Sequence, residues 1–352
     1  MLPRERVITA LAHKATDRVP LDFWGTPEVC DMLRSHFKVN DNEGFLQSLG
    51  IDIRQYQPDY IGPEIKILSD GSYFDPMGKH LKKVRNKFCE YDEYVSAPLG
   101  HIKKLSDFDG YTWPNIEHFD FASLSEKIGD MHKTYYIKLF TGGLFELAWP
   151  LRGYEQFMVD MIEQPEIAHF IMNKATEFYC EYVRRVMQSA GDKFDIVYTT
   201  DDVAGQNSLL MSKDLWKEFI GPYHRRLNKV IRDEFGKTVI YHSCGAVCEM
   251  IPLIIETHID VLNPLQPLAR GMDFNLIKKN YGKTISFHGG IDIQRLLPYG
   301  SRQEVEAAVR RAIAILGENG GYILASAHNI QADTPIENII ALYECARSVP
   351  MG

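Results

Sequence analysis

The segment VIYHSCGAVCEM, from Val239 to Met250, places a histidine and a cysteine two residues apart where an apolar run meets a glycine. Side chains at positions i and i+2 of a β-strand point to the same face, so His242 and Cys244 can reach a common point. Imidazole and thiolate are typical zinc ligands. The alternative is a core histidine bonded to a backbone carbonyl, beside a cysteine that acts as a small buried hydrophobe.

A zinc site needs at least a third ligand, and a catalytic site keeps a fourth position open. The best candidate is His328, which ends the apolar run in GYILASAHN. The other residues that could complete the site are Cys248, His288, Glu146 and Asp202. The sequence therefore predicts a metal site formed by His242, Cys244 and His328.

Polar residues stand at the end of nearly every apolar run. They are Asp22, Arg54, Asp201, Asp202, His242, Cys244, Gln266, His288, Asp292 and His328. In a barrel of parallel strands these side chains would converge on one mouth, although strand ends are also polar simply because they meet solvent. We predict catalytic roles for Glu146 and Asp202. We predict substrate contacts for Gln206, Gln266, Tyr198 and His288.

Short β-rich runs alternate with amphipathic helical segments, which is typical of βα units around a parallel sheet. The eight predicted strands are Val19–Trp24, Ile51–Tyr56, Tyr135–Gly143, Phe194–Asp202, Thr238–Gly245, Asp260–Gln266, Thr284–Gly290 and Gly321–His328. We predict an α/β fold, a (β/α)8 TIM-type barrel. A doubly wound sheet gives the same alternation, but no glycine-rich phosphate fingerprint follows the first strand.

Residues 57–133 do not follow this alternation, because they are rich in charge, aromatic rings and proline. We interpret them as a long excursion between strands 2 and 3 that covers the barrel mouth. No linker composition divides the chain, so residues 1–352 are predicted to form a single barrel domain. A long helical stretch is predicted from about Tyr154 to Ala190.

The whole-chain composition restricts the class of protein. The 352 residues carry a formal net charge of −8 without a basic block, which argues against a nucleic-acid partner. No run approaches the roughly 18 apolar residues of a membrane span, and the N-terminus does not resemble a signal peptide. Six irregularly spaced cysteines indicate a reducing cytoplasm rather than a disulfide framework. A homodimer is the commonest assembly for such enzymes.

Several motifs together resemble the uroporphyrinogen decarboxylase superfamily, in the expected order and over nearly the whole chain. They are RERVITALAHKATDRVPL, DDVAGQNSLLMSKDLWKEFIGPYHRRL, YHSCG, LNPLQP, HGGID and GGYILASAHNIQADTPIENI. The resemblance implies a single (β/α)8 barrel. Authentic uroporphyrinogen decarboxylases grip propionate and acetate groups with an N-terminal arginine pair, and the corresponding VPLDFWGTPEVC has none.

The resemblance is closer to the corrinoid-dependent methylcobamide methyltransferase branch, whose members hold zinc by an H-x-C motif and a later cysteine. His242 and Cys244 match the first part, and His328 stands where the later cysteine is expected. No D-x-H-x-x-G corrinoid motif occurs, so this branch implies a corrinoid (cobalamin) carried by a separate partner protein.

One thiolate instead of two leaves Zn²⁺ less neutralised and a stronger Lewis acid towards oxygen. The leading hypothesis is therefore an O-demethylase type of methyltransferase. It would move a methyl group from a small methoxylated, plausibly aromatic, substrate to the cobalt of the corrinoid protein. The alternatives are a methyl-corrinoid to thiol methyltransferase and a metal-free uroporphyrinogen decarboxylase-like lyase.

Overall fold

Seven parallel strands form the central sheet of the computed structural model, which describes residues 1–350. The strands in chain order are β1 Ile53–Tyr56, β2 Asp59–Tyr60, β3 Ser72–Phe74, β4 His80–Arg85, β5 Glu90–Ser96, β6 Phe119–Asp120, β7 Tyr136–Gly143, β8 Ile196–Thr200, β9 Thr238–His242, β10 Val261–Leu265, β11 Ser286–Ile291 and β12 Tyr322–Ser326. The sheet runs β1-β7-β8-β9-β10-β11-β12, with every neighbouring pair parallel.

An extended segment around Leu21 closes this sheet into a ring. Asp22 donates its backbone N–H to the carbonyl of Leu324 in β12, and Asp52, just before β1, donates to the carbonyl of Leu21. Only isolated bridges form along this segment, which includes Pro20, a residue that cannot donate to a ladder. The predicted (β/α)8 barrel is confirmed. The predicted first strand is an extended segment that takes the eighth strand position of the barrel without forming a regular ladder.

The interior of the ring is apolar near the start of the strands and polar towards their carboxyl ends. Its lower layers are a separate apolar cluster with buried residues from six strands and from the first helix, namely Val7, Ile53, Tyr136, Ile196, Tyr198, Ile240, Val261 and Ile323. Polar interior residues begin two positions further along β7, β9 and β10, with Lys138, His242 and Asn263. The carboxyl ends of the strands therefore carry the chemistry, as barrel architecture requires.

Fifteen α-helices lie within residues 1–350. They are α1 Pro3–Leu11, α2 Pro27–Phe37, α3 Asn42–Leu49, α4 Leu124–Ile128, α5 Met131–Thr134, α6 Phe145–Arg152, α7 Tyr154–Glu163, α8 Pro165–Ala190, α9 Lys213–Phe219, α10 Gly221–Lys229, α11 Ile251–Ile255, α12 Phe274–Tyr281, α13 Leu296–Tyr299, α14 Arg302–Leu316 and α15 Ile336–Ser348. The predicted helical stretch 154–190 is two helices, because Pro165 begins a new one. No helix within residues 1–350 has the length and apolar composition of a membrane span.

The excursion between β1 and β7 has its own structure. Strands β3, β4 and β5 form an antiparallel sheet, and β2 pairs with β6. Tyr94 of β5 packs edge-on against Trp149 of α6 at 4.7 Å between ring centroids. This contact places the small sheet beside the barrel mouth; that the excursion acts as a lid stays a prediction.

Candidate metal centre

Three predicted ligands come together at the mouth of the barrel. One ligand atom each from His242, Cys244 and His328 lies within 4.8 Å of the others. The Sγ of Cys244 is 3.4 Å from Nε2 of His242, and the two histidine rings are 5.9 Å apart between centroids. His242 is the last residue of β9, and His328 follows β12 by two residues. Two imidazoles and one sulfur thus converge from strands that are three positions apart in the sheet.

The turn after β9 fixes the position of Cys244. Asp202 accepts a hydrogen bond from the backbone N–H of Cys244 at 2.6 Å, and Gln266 Oε1 accepts one from Gly245 at 2.8 Å. Gly245 has φ +88°, and an added Cβ would lie 2.5 Å from the carbonyl oxygen of Gly205, so glycine is required here. Asp202 and Gln266, predicted as catalytic and substrate-binding residues, both position the cysteine.

A chain of buried hydrogen bonds orients His242. Asn263 stands opposite His242 in the neighbouring strand, and its Oδ1 accepts from Nδ1 of His242 at 2.5 Å. The amide of Asn263 then donates to Nδ1 of His288 at 2.6 Å, and Nε2 of His288 donates to Asp22 at 3.0 Å. Lys138 Nζ completes the chain 2.7 Å from Asp22. This arrangement leaves Nε2 of His242 free of its proton and directed at Cys244.

The location of His288 does not favour its predicted contact with substrate. Its side chain is buried in β11 and bonded on both ring nitrogens, to Asn263 and Asp22. The strand-end position of His288 in the sequence could not reveal this, because both partners come from distant parts of the chain. We reassign His288 as a residue that positions His242 through Asn263.

The electrostatics of the cluster fit a metal cation. Burial lowers the pKa of His242 to about 4, although the Asp202 carboxylate opposes this, so the imidazole is neutral and able to bind metal. Burial also lowers the pKa of His328. Burial raises the pKa of the Cys244 thiol, and the carboxylates of Asp202 and Glu146 raise it further. A divalent cation reverses that effect, because a coordinating thiol is deprotonated.

We expect Asn263→Ala to lower metal affinity by about 10- to 100-fold, since residues that orient a ligand have effects of this size. The measurement is zinc affinity by competition with a chromophoric chelator. Asn338→Ala is the matched control, because Asn338 is also buried but donates to the carbonyls of Leu297 and Gly300. Equal affinities in both variants would show that Asn263 does not orient His242.

A cavity of about 720 Å³ opens directly beside the cluster. Its lining includes Trp24, Lys138, Phe140, Tyr198, His242 and His328. The Trp24 ring stacks on His242 at 5.8 Å, with 14° between the planes, and its Nε1 donates to Asp22 at 2.8 Å. Tyr198 stacks on Phe140 at 5.0 Å. Tyr198 is therefore placed to touch a substrate, which stays a prediction.

Glu146 lines the same cavity, and hydrogen bonds hold both its backbone and its side chain. Asp201 accepts from the backbone N–H groups of Phe145 and Glu146, both at 2.8 Å, and so fixes the first turn of α6. Thr200, which stands opposite His242 in the sheet, donates its hydroxyl to Glu146 at 3.0 Å. Burial, helped by the carboxylates of Asp201 and Asp202, raises the pKa of Glu146 to about 8. Burial and these two carboxylates thus favour the protonated form of Glu146.

Three other residues considered in the sequence lie outside the cluster of His242, Cys244 and His328: Gln206, Cys248 and Asp292. Gln206 contributes a hydrogen bond only through its backbone carbonyl, which accepts from Arg270, and it is not part of the cavity lining described for residues 1–350. Cys248, considered as a ligand, lies outside the three-residue cluster. Asp292 accepts from three backbone N–H groups, those of residues 294–296, and caps the turn that follows β11.

Three residues that line the cavity or contact His242 were not predicted from the sequence: Trp24, Lys138 and Asn263. A signal existed for Lys138, since it is the one charged residue in the apolar run YYIKLF. Asn263 interrupts DVLNPLQ in the same way. Trp24 gave no comparable signal, because a tryptophan at a strand end is as consistent with core packing.

Residues 77–349 match the sequence model of the family described as uroporphyrinogen decarboxylase (URO-D). Among curated proteins, a methylated-thiol–coenzyme M methyltransferase of Methanosarcina mazei is 27% identical over 212 residues, which are 59% of this chain and 52% of that protein. A uroporphyrinogen decarboxylase of Crocosphaera subtropica is 22% identical over 186 residues, 53% of this chain and 49% of that protein. The chain thus spans about half the length of these relatives.

Among solved structures, a methyltransferase from Methanosarcina mazei superposes with a TM-score of 0.71 at 18% identity. The superposition covers 98% of both chains. This likeness supports the barrel fold over the whole chain, including the excursion between β1 and β7.

Proposed function

The chain belongs to the uroporphyrinogen decarboxylase (URO-D) family, and on that premise we propose that it is a zinc-dependent methyltransferase of the O-demethylase type. It would move a methyl group from a small methoxylated substrate to the cobalt of a corrinoid held by a separate protein. The observation that carries the proposal is the convergence of His242, Cys244 and His328 beside a cavity that also contains an acid, Glu146.

The donor set suits zinc, which accepts imidazole nitrogen and thiolate sulfur in a tetrahedral site with one position open for chemistry. Bound there, zinc would supply Lewis-acid polarisation of the group that loses its methyl. His242 and His328 carry no charge, so Cys244 is the only anionic ligand among the three. With one anionic ligand instead of two, the bound zinc ion would be a stronger Lewis acid towards oxygen, and we therefore prefer an oxygen leaving group over a thiol.

The residues of this chain supply the proton that the reaction needs. When the carbon–oxygen bond breaks, its electron pair stays on oxygen and the methyl group bonds to cobalt(I), whose own pair forms the new bond. Glu146 would donate its proton to that oxygen, which turns a poor alkoxide or phenolate leaving group into an alcohol or phenol. Asp202 and Gln266 would hold Cys244, and Asn263 would hold His242, during this step.

A second candidate is methyl transfer between a corrinoid and a thiol. The similarity to the methylated-thiol–coenzyme M methyltransferase of Methanosarcina mazei favours it. In that reaction the acceptor sulfur needs no proton donor, so Glu146 would have no evident task.

The URO-D relatives suggest a third candidate, a metal-free decarboxylase-like lyase. Such a lyase acting on a substrate rich in carboxylates would need free cationic groups in the cavity. Arg54 is instead paired with Glu43, and Lys138 with Asp22. These pairs count against the lyase.

The test is to incubate zinc-loaded protein with cob(I)alamin and either an aryl methyl ether or methyl thioether, and to follow methylcobalamin by its absorption spectrum. Formation from the ether supports O-demethylation. Formation from the thioether alone favours the thiol reaction. No methylcobalamin from the ether, with free cobalamin or with a corrinoid protein, would contradict the O-demethylase assignment. If, in addition, methylcobalamin is not demethylated by a thiol acceptor, the thiol assignment is contradicted as well.

A further inference from the structure

Two side chains with a permanent positive charge line the cavity within the described residues: Arg54 and Lys138. Arg54 is 4% exposed. Its Nε and Nη2 donate to the two carboxylate oxygens of Glu43 at 2.6 and 2.9 Å, a bidentate ion pair. Its Nη1 donates to the carbonyls of Ile51 and Ile53. The guanidinium also lies 3.7 Å from the centre of the Tyr135 ring. Four of the five N–H donors of Arg54 are therefore committed to the protein.

Lys138 is neutralised in the same way. Its ammonium is 2.7 Å from Asp22 Oδ2, and both side chains are buried. The ammonium also lies 4.8 Å from the centre of the Trp24 ring. Although burial alone would raise it, Lys138 and His288 hold the pKa of Asp22 below its ordinary value, so the pair is ionic. A substrate carboxylate would have to displace Asp22 to reach this charge.

At the metal end of the cavity, the carboxylate of Asp202 lies 3.6 Å from Nε2 of His242, so a substrate carboxylate there would meet a like charge. A buried anion without a cationic partner pays a large desolvation cost.

The remaining lining combines neutral polar side chains, such as Asn42, Gln55 and Asn329, with an apolar group that is mostly aromatic: Phe23, Trp24, Phe45, Leu46, Phe140 and Tyr198. We propose that the cavity selects methoxylated aromatic compounds that carry no acidic group, and excludes methoxylated aromatic acids. This inference rests on the proposed function and adds to it the charge of the substrate. Both cationic side chains of the lining are thus paired with carboxylates, while the aromatic side chains provide the binding surface.

The experiment compares 4-methoxybenzamide with 4-methoxybenzoate at pH 7, because the two have nearly the same shape and differ in charge. Binding to the zinc-loaded protein is measured by isothermal titration calorimetry in the absence of corrinoid. We expect the amide to bind at least about tenfold more tightly than the acid. Equal or tighter binding of the acid, or no binding of either, would overturn the inference.

The Glu43→Gln variant tests the same inference by an expected increase in affinity for the acid. Removing that carboxylate leaves the Arg54 guanidinium with an uncompensated charge at the cavity wall, so the affinity for 4-methoxybenzoate should rise by about tenfold, with a much smaller change for the amide. Glu93→Gln on the exposed strand β5 is the matched control. Unchanged affinity for the acid in a folded Glu43→Gln protein would also contradict the inference. The wild-type comparison stands without this variant.

The outcomes separate this inference from the proposed function. If the amide binds selectively but no methyl group reaches cob(I)alamin, the proposed function fails and the charge selectivity stands. If methyl transfer proceeds from the benzoate as fast as from the benzamide, the methyltransferase stands and the charge selectivity fails.

Discussion

His328→Ala should remove most of the bound zinc and reduce methyl transfer by more than about 100-fold. His242 and Cys244 are only two residues apart in the chain, whereas His328 comes from the far side of the sheet and completes the cluster. Two ligands do not hold zinc in a catalytic site, which uses three from the protein. Zinc content by mass spectrometry and the cob(I)alamin assay together check the result.

Two further variants define this effect. His101→Ala removes an exposed histidine from the excursion and should keep full zinc content. His328→Cys should keep zinc as well, because it restores a ligand, but the second thiolate makes the ion a weaker Lewis acid and should slow ether cleavage. Full zinc content in His328→Ala would contradict the assignment of this residue as a ligand.

Glu146→Gln should lower the rate of ether cleavage by about 10²- to 10³-fold, because a positioned general acid contributes an effect of this size. Burial and two neighbouring carboxylates raise the pKa of Glu146 to about 8, so the acid form dominates below that pH. The wild-type rate should therefore be constant on the acidic side of pH 8 and fall as the pH rises through 8. The measurement is the initial rate of methylcobalamin formation from pH 6 to pH 10.

The pH profile distinguishes a proton donor from a residue that only supports the structure. In Glu146→Gln the fall near pH 8 should disappear together with most of the rate, since glutamine cannot release a proton. Glu155→Gln on the exposed side of α7 should behave as wild type. A variant that keeps the fall near pH 8, or loses no activity, would show that Glu146 is not the acid.

The residues that could be located from the sequence are those set by local spacing. Strand periodicity placed His242 and Cys244 on one face, and the end of the last apolar run placed His328 at the same rim. The barrel gave a consistent reason for both, because parallel strands end at one mouth. For the same reason, Glu146 and Asp202 were expected near the metal.

The roles that could not be predicted depend on strand register and on loops. Asn263 supports His242 because the two stand opposite each other in β10 and β9, and the sequence does not reveal that pairing. His288 was assigned to substrate because its strand-end position hides its hydrogen bonds to other strands. Gln266 holds the turn after Cys244 through Gly245, a contact between two loops.

The measurement that tests the central claim most directly is X-ray absorption at the zinc edge of wild-type protein purified without chelator. We predict one zinc per chain with one sulfur at about 2.3 Å and two imidazole nitrogens at about 2.0–2.1 Å. A zinc shell without sulfur, or protein that stays empty after incubation with zinc, would contradict the assignment of His242, Cys244 and His328 as the metal centre.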